Sequence, residues 1–367
     1  MSRLPLVRHI HFKRVQPFTS ISKLQAHIVH QNLLHKARPQ TYPAPLPLIL
    51  TFTSSPVYTF GRRDDPSTLD AAFITSLREP LPRGKHAASH ERAGAEVVKT
   101  SRGGLTTFHG PGQLVVYPIF DLKGASVRAH LKEGLDVRSY VRLLEETTID
   151  ALAEPCLDIP CVRTEHPGVW TSLPGQESAK IAALGVHLRR NITSYGLGLN
   201  VNTDLRWFER IVPCGLGGKR MTSVGEIWRR KKFMEGRGRA RGRVTHGHKS
   251  FLTRRWVEGF AKGAFGWEEK GEGALASYSV CGVEELRRGR FGWLGLGDVD
   301  LSADVAEKET SETTREPPRA TEREKEEWST PGGYPQSPDE IRSLIKAAKN
   351  FPGDRNGFES PDDGSAH

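Results

Sequence analysis

The chain has 367 residues, a formal net charge of +10, 37% hydrophobic and 26% charged residues. No apolar run approaches the roughly 18 residues that would imply a membrane span, so a soluble protein with no membrane partner is expected. Four cysteines, Cys156, Cys161, Cys214 and Cys281, are too few and too unevenly placed for a disulfide scaffold and fit a reducing compartment. There is neither a C-x-x-C pair nor H-E-x-x-H spacing, so no metal is expected.

The first acidic residue is Asp64, while Arg3, Arg8, Lys13, Arg14, Lys23, Lys36, Arg38, Arg62 and Arg63 precede it. An acid-free, Arg- and Ser-containing start resembles a mitochondrial targeting segment. It also reads as folded chain: residues 7–12 alternate like a strand, and Ile21, Leu24, Ile28 and Leu33 fall near one helical face. The two readings are compatible, because an import signal can overlap structured residues. Residues 46–60 give a short strand broken by Pro56, and residues 61–95 are polar and turn-rich. Strand-like runs at 96–107 and 113–122 are separated by the turn His109-Gly110-Pro111-Gly112. Residues 137–152 predict an amphipathic helix with Tyr140, Leu143, Leu144 and Ile149 inward. Short strands follow around 168–170, 180–189 and 197–201; their close spacing favours antiparallel pairs over βαβ crossovers.

The expected organisation is a domain over 1–228, a basic flexible insertion over 229–249, a helix closing the domain over 250–299, and a disordered tail over 300–367. The insertion carries Arg229, Arg230, Lys231, Lys232, Arg237, Arg239, Arg241 and Arg243 against the single acid Glu235. The tail is rich in Glu, Lys, Ser, Thr and Pro and poor in large apolar residues.

Three segments concentrate chemistry. Arg102 to Gln113 packs Gly103, Gly104, Gly110, Pro111 and Gly112 into a dozen residues. Such a stretch lets backbone approach a ligand without Cβ obstruction, although an ordinary hairpin turn has the same composition. It lacks nucleotide-binding glycine spacing. Lys180 opens the small-residue run Ile181-Ala182-Ala183-Leu184-Gly185, where partial desolvation would suit it to proton transfer or pairing with a thiolate. Cys214, between Pro213 and Gly215, belongs to a tight turn rather than to a packed strand.

Together these segments resemble the lipoyl(octanoyl) transferase family, also called lipoate-protein ligase B. The likeness rests on Arg102 to Leu114, Lys180 to Gly185, Gly196 to Asn202, and Pro213 to Ser223, with Pro56 to Arg62 as a further match. It covers roughly residues 5–228 and again 250–267. The resemblance implies an α/β (α+β) biotin/lipoate protein ligase-like fold, with a central mixed, largely antiparallel sheet and flanking helices. It implies transfer of octanoyl from octanoyl-acyl carrier protein to a lysine of apo-lipoyl domains, those of 2-oxoacid dehydrogenase E2 subunits and of glycine cleavage H protein. Cys214 would form the acyl-thioester and Lys180 would be its partner. Arg102, Gly103, Gly104, Leu105, Thr106, Thr107, Phe108 and His109 would line the substrate site, together with Ala183, Leu184, Gly185, Gly196, Leu197 and Gly198. No cofactor and no metal are implied, and the family's eukaryotic members work in mitochondria.

A covalent relay suits this chemistry, since it splits one acyl transfer into two attacks. A free Cys, with pKa about 8.5, is only ~3% thiolate at pH 7, and a neighbouring Lys raises that fraction. An ATP-dependent lipoate or biotin ligase of the same fold is the nearest rival. The Gly-Arg run Gly236 to Arg243 is similar to the adenylate loop of biotin ligases, but it follows the Cys214 segment inside a low-complexity stretch. A ligase would also have no need of Cys214. The same run and the basic charge raise a nucleic-acid-binding module as a further alternative, but no aromatic residues interleave the charges to make a stacking platform, so nucleic acid is not the expected partner.

Overall fold

Apolar alternation near the start of the chain becomes the strand β1 (Val7–Gln16), and the helix α1 (Phe18–Ala37) follows. The computed structural model describes residues 7–64, 69–82, 94–172, 177–215, 219–234, 244–268, 275–287, 289–296 and 299–302. The α1 face differs by one position from the expected stripe. Asn32, not Leu33, is buried, its amide donating to Ile28 O at 2.9 Å.

The expected break at Pro56 separates β2 (Leu48–Ser54) from β3 (Val57–Phe60), which enter different sheets. After α2 (Ala71–Arg78) come β4 (Glu96–Lys99), β5 (Thr107–His109) and β6 (Gln113–Ile119). The glycine-rich turn is not a hairpin. β5 pairs with β3 in a small sheet ordered β4-β3-β5, whereas β6 lies inside the main sheet, so residues 110–112 carry the chain between layers.

Next are α3 (Ala125–Arg128), α4 (Val137–Ala153), β7 (Cys161–Val162), β8 (Val169–Thr171), β9 (Ala179–Arg189) and β10 (Ile192–Asn200). Along α4 the buried positions are Tyr140, Leu144, Glu145, Thr147, Thr148, Ala151 and Leu152, while Leu143 and Ile149 are only half-buried. β11 (Arg220–Met221), α5 (Val224–Met234), α6 (His246–Phe265) and β12 (Leu275–Val280) complete the described order. Both ends of the expected insertion, 229–234 and 246–249, therefore belong to helices. Arg229, Arg230 and Lys231 lie on α5, where Arg229 and Arg230 pair with Glu226. Residues 235–243 lie outside the described residues, as do 1–6 and the tail from 303. Among the described residues no helix is long and apolar enough to cross a membrane.

The main sheet runs β12-β1-β2-β6-β10-β9-β8-β7, with β11 on β9. β12, β1 and β2 are mutually parallel, and the pairs from β2 to β7 are antiparallel. The fold is thus mixed α/β with a largely antiparallel central sheet. One face packs against α4 and α6 through Leu144, Leu152, Leu252, Trp256 and Phe260. The other packs against α1 through Ile21, Leu24 and Ile28, over β1, β2 and β6.

Candidate active site

The antiparallel pair β9–β10 sets the floor of the site. Gly198 stands opposite Ala183 and Gly196 opposite Gly185, so these four share one face; Leu197 opposite Leu184 and Leu199 opposite Ala182 share the other. The leucine face joins the α4/α6 core. On the small-residue face, a Cβ built on Gly198 would lie 3.1 Å from His109 Cε1, and one on Gly185 would lie 3.2 Å from Arg102 Cδ. His109 and Arg102 therefore stand directly over a floor that has no room for larger side chains.

A β-bulge brings Lys180 to this face. Across β8, Val169 opposes Ala182 but Trp170 opposes Lys180, leaving Ile181 as an extra residue on β9. Ile181 and Ala182 both pack in the α4/α6 core. The bulge thus reverses the alternation, and Lys180 is turned to the side of Ala183 and Gly185. Lys180 is 3% exposed. Its Nζ donates to Pro167 O at 2.9 Å and lies 4.8 Å from the centre of the Trp170 ring. Gly168 makes the approach possible. Its φ is 120°, and a Cβ there would fall 2.6 Å from Ala182 O and 3.3 Å from Lys180 Cε. Glu145, buried on α4, accepts from Gly168 N at 2.8 Å and pairs with Arg163 at 2.9 Å, which holds that turn.

The Arg102 loop closes the far end of the face. Arg102 is buried, and its guanidinium donates to Thr59 O (2.5 Å), Thr59 Oγ1 (2.9 Å), Gly103 O (3.1 Å) and Leu105 O (2.9 Å). Gly103 N donates to Val186 O at 2.9 Å, fastening the loop to β9. Thr106 Oγ1 donates to Asp64 at 2.6 Å. Arg102 thus organises the main chain of the expected binding loop. Phe108 stacks on Trp207 with centroids 5.0 Å apart in a separate core, so its side chain, like those of Leu184 and Leu197, points away from the floor.

The near end holds a buried amide relay that the sequence did not single out by role. Asn200 Nδ2 donates to Thr222 O (3.1 Å), Gln113 Nε2 donates to Asn200 Oδ1 (3.0 Å) and Phe108 O (3.1 Å), and Gln113 Oε1 faces His109 Nδ1 (2.7 Å). Main-chain carbonyls only accept, so both amides have a fixed orientation, and His109 carries its proton on Nδ1. Burial, with a smaller push from Arg102, lowers the His109 pKa to about 4, so the ring is neutral at pH 7. Phe18 stacks on it with centroids 6.2 Å apart. A second unforeseen group is Lys249 on α6. Its Nζ donates to the Thr53 hydroxyl, which donates to Gln113 O at 3.3 Å, and burial pushes its pKa down to about 8. A lone lysine in a helix start carries no sequence signal for this.

Cys214 sits in a one-turn 3-10 helix, Pro213–Gly215, with Gly215 at φ 69°. Its side chain lies outside the described residues. The chain that follows returns to Lys180: Met221 pairs with Lys180 in the β11–β9 ladder, and Thr222 N donates to Lys180 O at 2.9 Å.

Residues 25–235 match the lipoyl protein ligase A/B catalytic domain, a span that contains all four motif segments. The chain belongs to this family. A Schizosaccharomyces pombe protein named a probable octanoyltransferase is 41% identical over 59% of this chain and 86% of its own. The human member of this lipoyl protein ligase A/B family, named octanoyl-[acyl-carrier-protein]:protein N-octanoyltransferase LIPT2, mitochondrial, is 38% identical over 51% of this chain and 69% of its own. A solved bi-partite lipoate protein ligase from Thermoplasma acidophilum superimposes with a TM-score of 0.44 at 12% identity, over 81% of this chain and 94% of that one.

Proposed function

We propose that the chain is an octanoyltransferase that moves octanoyl from octanoyl-acyl carrier protein to a lysine of lipoyl domains through a thioester on Cys214. The observation that carries this reading is the buried Lys180 amine, turned by the β9 bulge onto the glycine-lined face and paired with the strand leading back to Cys214. In the first step the Cys214 thiolate attacks the carrier thioester; a C–S bond to Cys214 forms, the carrier's C–S bond breaks, and the carrier thiolate leaves as its thiol by taking a proton from the Lys180 ammonium. In the second, the target lysine amine attacks the Cys214 thioester, an amide forms and Cys214 is released. Lys180 stabilises the thiolate as a cation in the first step and handles the amine proton in the second. The Gly103 and Gly215 N–H groups are engaged by Val186 O and Val212 O, so the main-chain N–H groups of Gly104 and Cys214 are the candidates to hold the carbonyl oxygen.

The relatives' names support mitochondria as the site of action and a protein as the acceptor; the acceptors we propose are lipoyl domains of 2-oxoacid dehydrogenase E2 subunits and glycine cleavage H protein. Incubation with octanoyl-acyl carrier protein, without ATP, should add one octanoyl mass to the chain and then pass it to an apo-lipoyl domain. Cys214→Ala should take up none. Octanoyl attachment to Cys214→Ala, or a strict need for ATP, would remove this reading.

A further inference from the structure

β10 separates from β9 at its end, and β11 takes its place beside Lys180. Two bonds at the end of β10 tie down the returning chain: Asn200 Nδ2, on its last residue, to Thr222 O at 3.1 Å, and Gly225 N to the O of Val201, the residue after it, at 2.9 Å. Only the first uses a side chain. Asn200 is fully buried, its neighbours Gln113 and Thr222 are 1% and 4% exposed, and every polar atom of its amide is satisfied. An amide in a buried site with both ends engaged has one orientation, and reversing it would set acceptor against acceptor at Thr222 O and donor against donor at Gln113 Nε2. The next link, Thr222 N to Lys180 O at 2.9 Å, carries that fixed position onto the main chain of the amine-bearing residue.

We propose, resting on the Cys214–Lys180 reading above, that Asn200 is a positioning residue: through Thr222 it holds the Cys214-bearing segment in register with Lys180. Gln113 is its backing, because its amide keeps Asn200 from turning over. The relay joins residues on β6, β10 and the strand beside β9, so a change at Asn200 reaches the reacting pair without touching substrate.

The test is the pH dependence of Cys214 alkylation by iodoacetamide, resolved by peptide mass, with Cys156 and Cys281 followed in the same sample. Asn200→Ala should move the Cys214 midpoint up toward the free value of about 8.5. It should also slow acyl-enzyme formation at pH 7 about tenfold or more and speed amide exchange in the 220–223 peptide. Gln113→Glu keeps the bulk but offers Asn200 only acceptors, so the amide turns over and the same shifts follow; this variant decides the matter if Asn200→Ala does not fold. Leu152→Ala, a core truncation in α4, controls for lost stability. It should lower Tm and leave the Cys214 midpoint in place.

A merely structural role predicts that Asn200→Ala behaves like Leu152→Ala, and that result overturns the proposal. If Lys180→Ala also fails to move the midpoint, the Cys214–Lys180 reading falls instead. Exchange at 220–223 then decides alone: unchanged exchange in both relay variants rejects the clamp, and faster exchange supports it.

Discussion

At the scale of single residues, Lys180 is legible as a motif member and Gly168 only as the start of a short strand, and what joins them is not legible. Gly168 is required because Ala182 O and Lys180 Cε crowd its missing Cβ. Gly168→Ala should therefore cost about 1–3 kcal/mol and slow acyl-enzyme formation, since the shift falls on Lys180; denaturant melts and single-turnover rates would show it, and wild-type values in both would refute it. Asn200 and Gln113 stood inside quoted motifs without a role, because their partnership joins residues 87 apart in sequence. His9 was read only as one member of a strand. It is buried, bonded to Thr51 Oγ1 at 2.8 Å and Ser277 Oγ at 3.2 Å, and burial followed by the charge of His11 pushes its pKa down to about 3. Its unfolded value is about 6.5, so the unfolded chain takes up a proton that the native site refuses. The native state keeps its full margin above pH 6.5, and this contribution is lost as pH falls from there toward 3. His9→Gln, less stable at pH 7.5, should lose less Tm than wild type between pH 7.5 and 5; an equal loss would rule out His9 as a source.

At the scale of elements, period-two alternation reveals β1, and 3.6-residue spacing reveals α1 and α4, because burial on one face writes itself into local sequence. The bulge in β9 left no such trace, for it exists only in relation to β8, and with it the facing of Lys180 was hidden. The same limit hid the layer change at 110–112, where turn composition fits a hairpin equally well. The β9–β10 turn is a different case. Arg190 and Asn191 both have positive φ, 50° and 66°, the pattern of a type I′ hairpin. Arginine is strained there, so Arg190→Asn should stabilise the protein by up to about 1 kcal/mol without altering acyl transfer. A lower denaturation midpoint would contradict the turn assignment.

For the whole molecule, the expected partition placed a boundary at 300, yet Leu301 is fully buried in the α1-side core and Lys23 donates to Ser302 O at 2.7 Å. Composition shifts near 300, but one leucine suffices to anchor an extended end. Truncation after 302 should leave Tm and activity intact, while Leu301→Ala should cost about 2–5 kcal/mol by calorimetry; indifference to both changes would mean that the end does not pack. The sheet order carries one more consequence. β1, the first of the described strands in chain order, lies between β2 and β12, and Val7 pairs with Leu275, far along the chain. While the chain is being synthesised, or threaded through a narrow passage, β1 can dock on β2 early but must wait for β12. During that interval one edge of a half-buried strand, with Val7, Ile10 and Phe12 as its buried apolar residues, offers unpaired N–H and C=O groups to any neighbouring chain. The glycine-lined face, whose parts from Phe18 and Thr59 to Thr222 all precede β12 in the chain, can meanwhile close on itself. Slow refolding and concentration-dependent loss of yield should therefore trace to the sheet edge rather than to the reacting centre, and should ease when chaperones shield that edge.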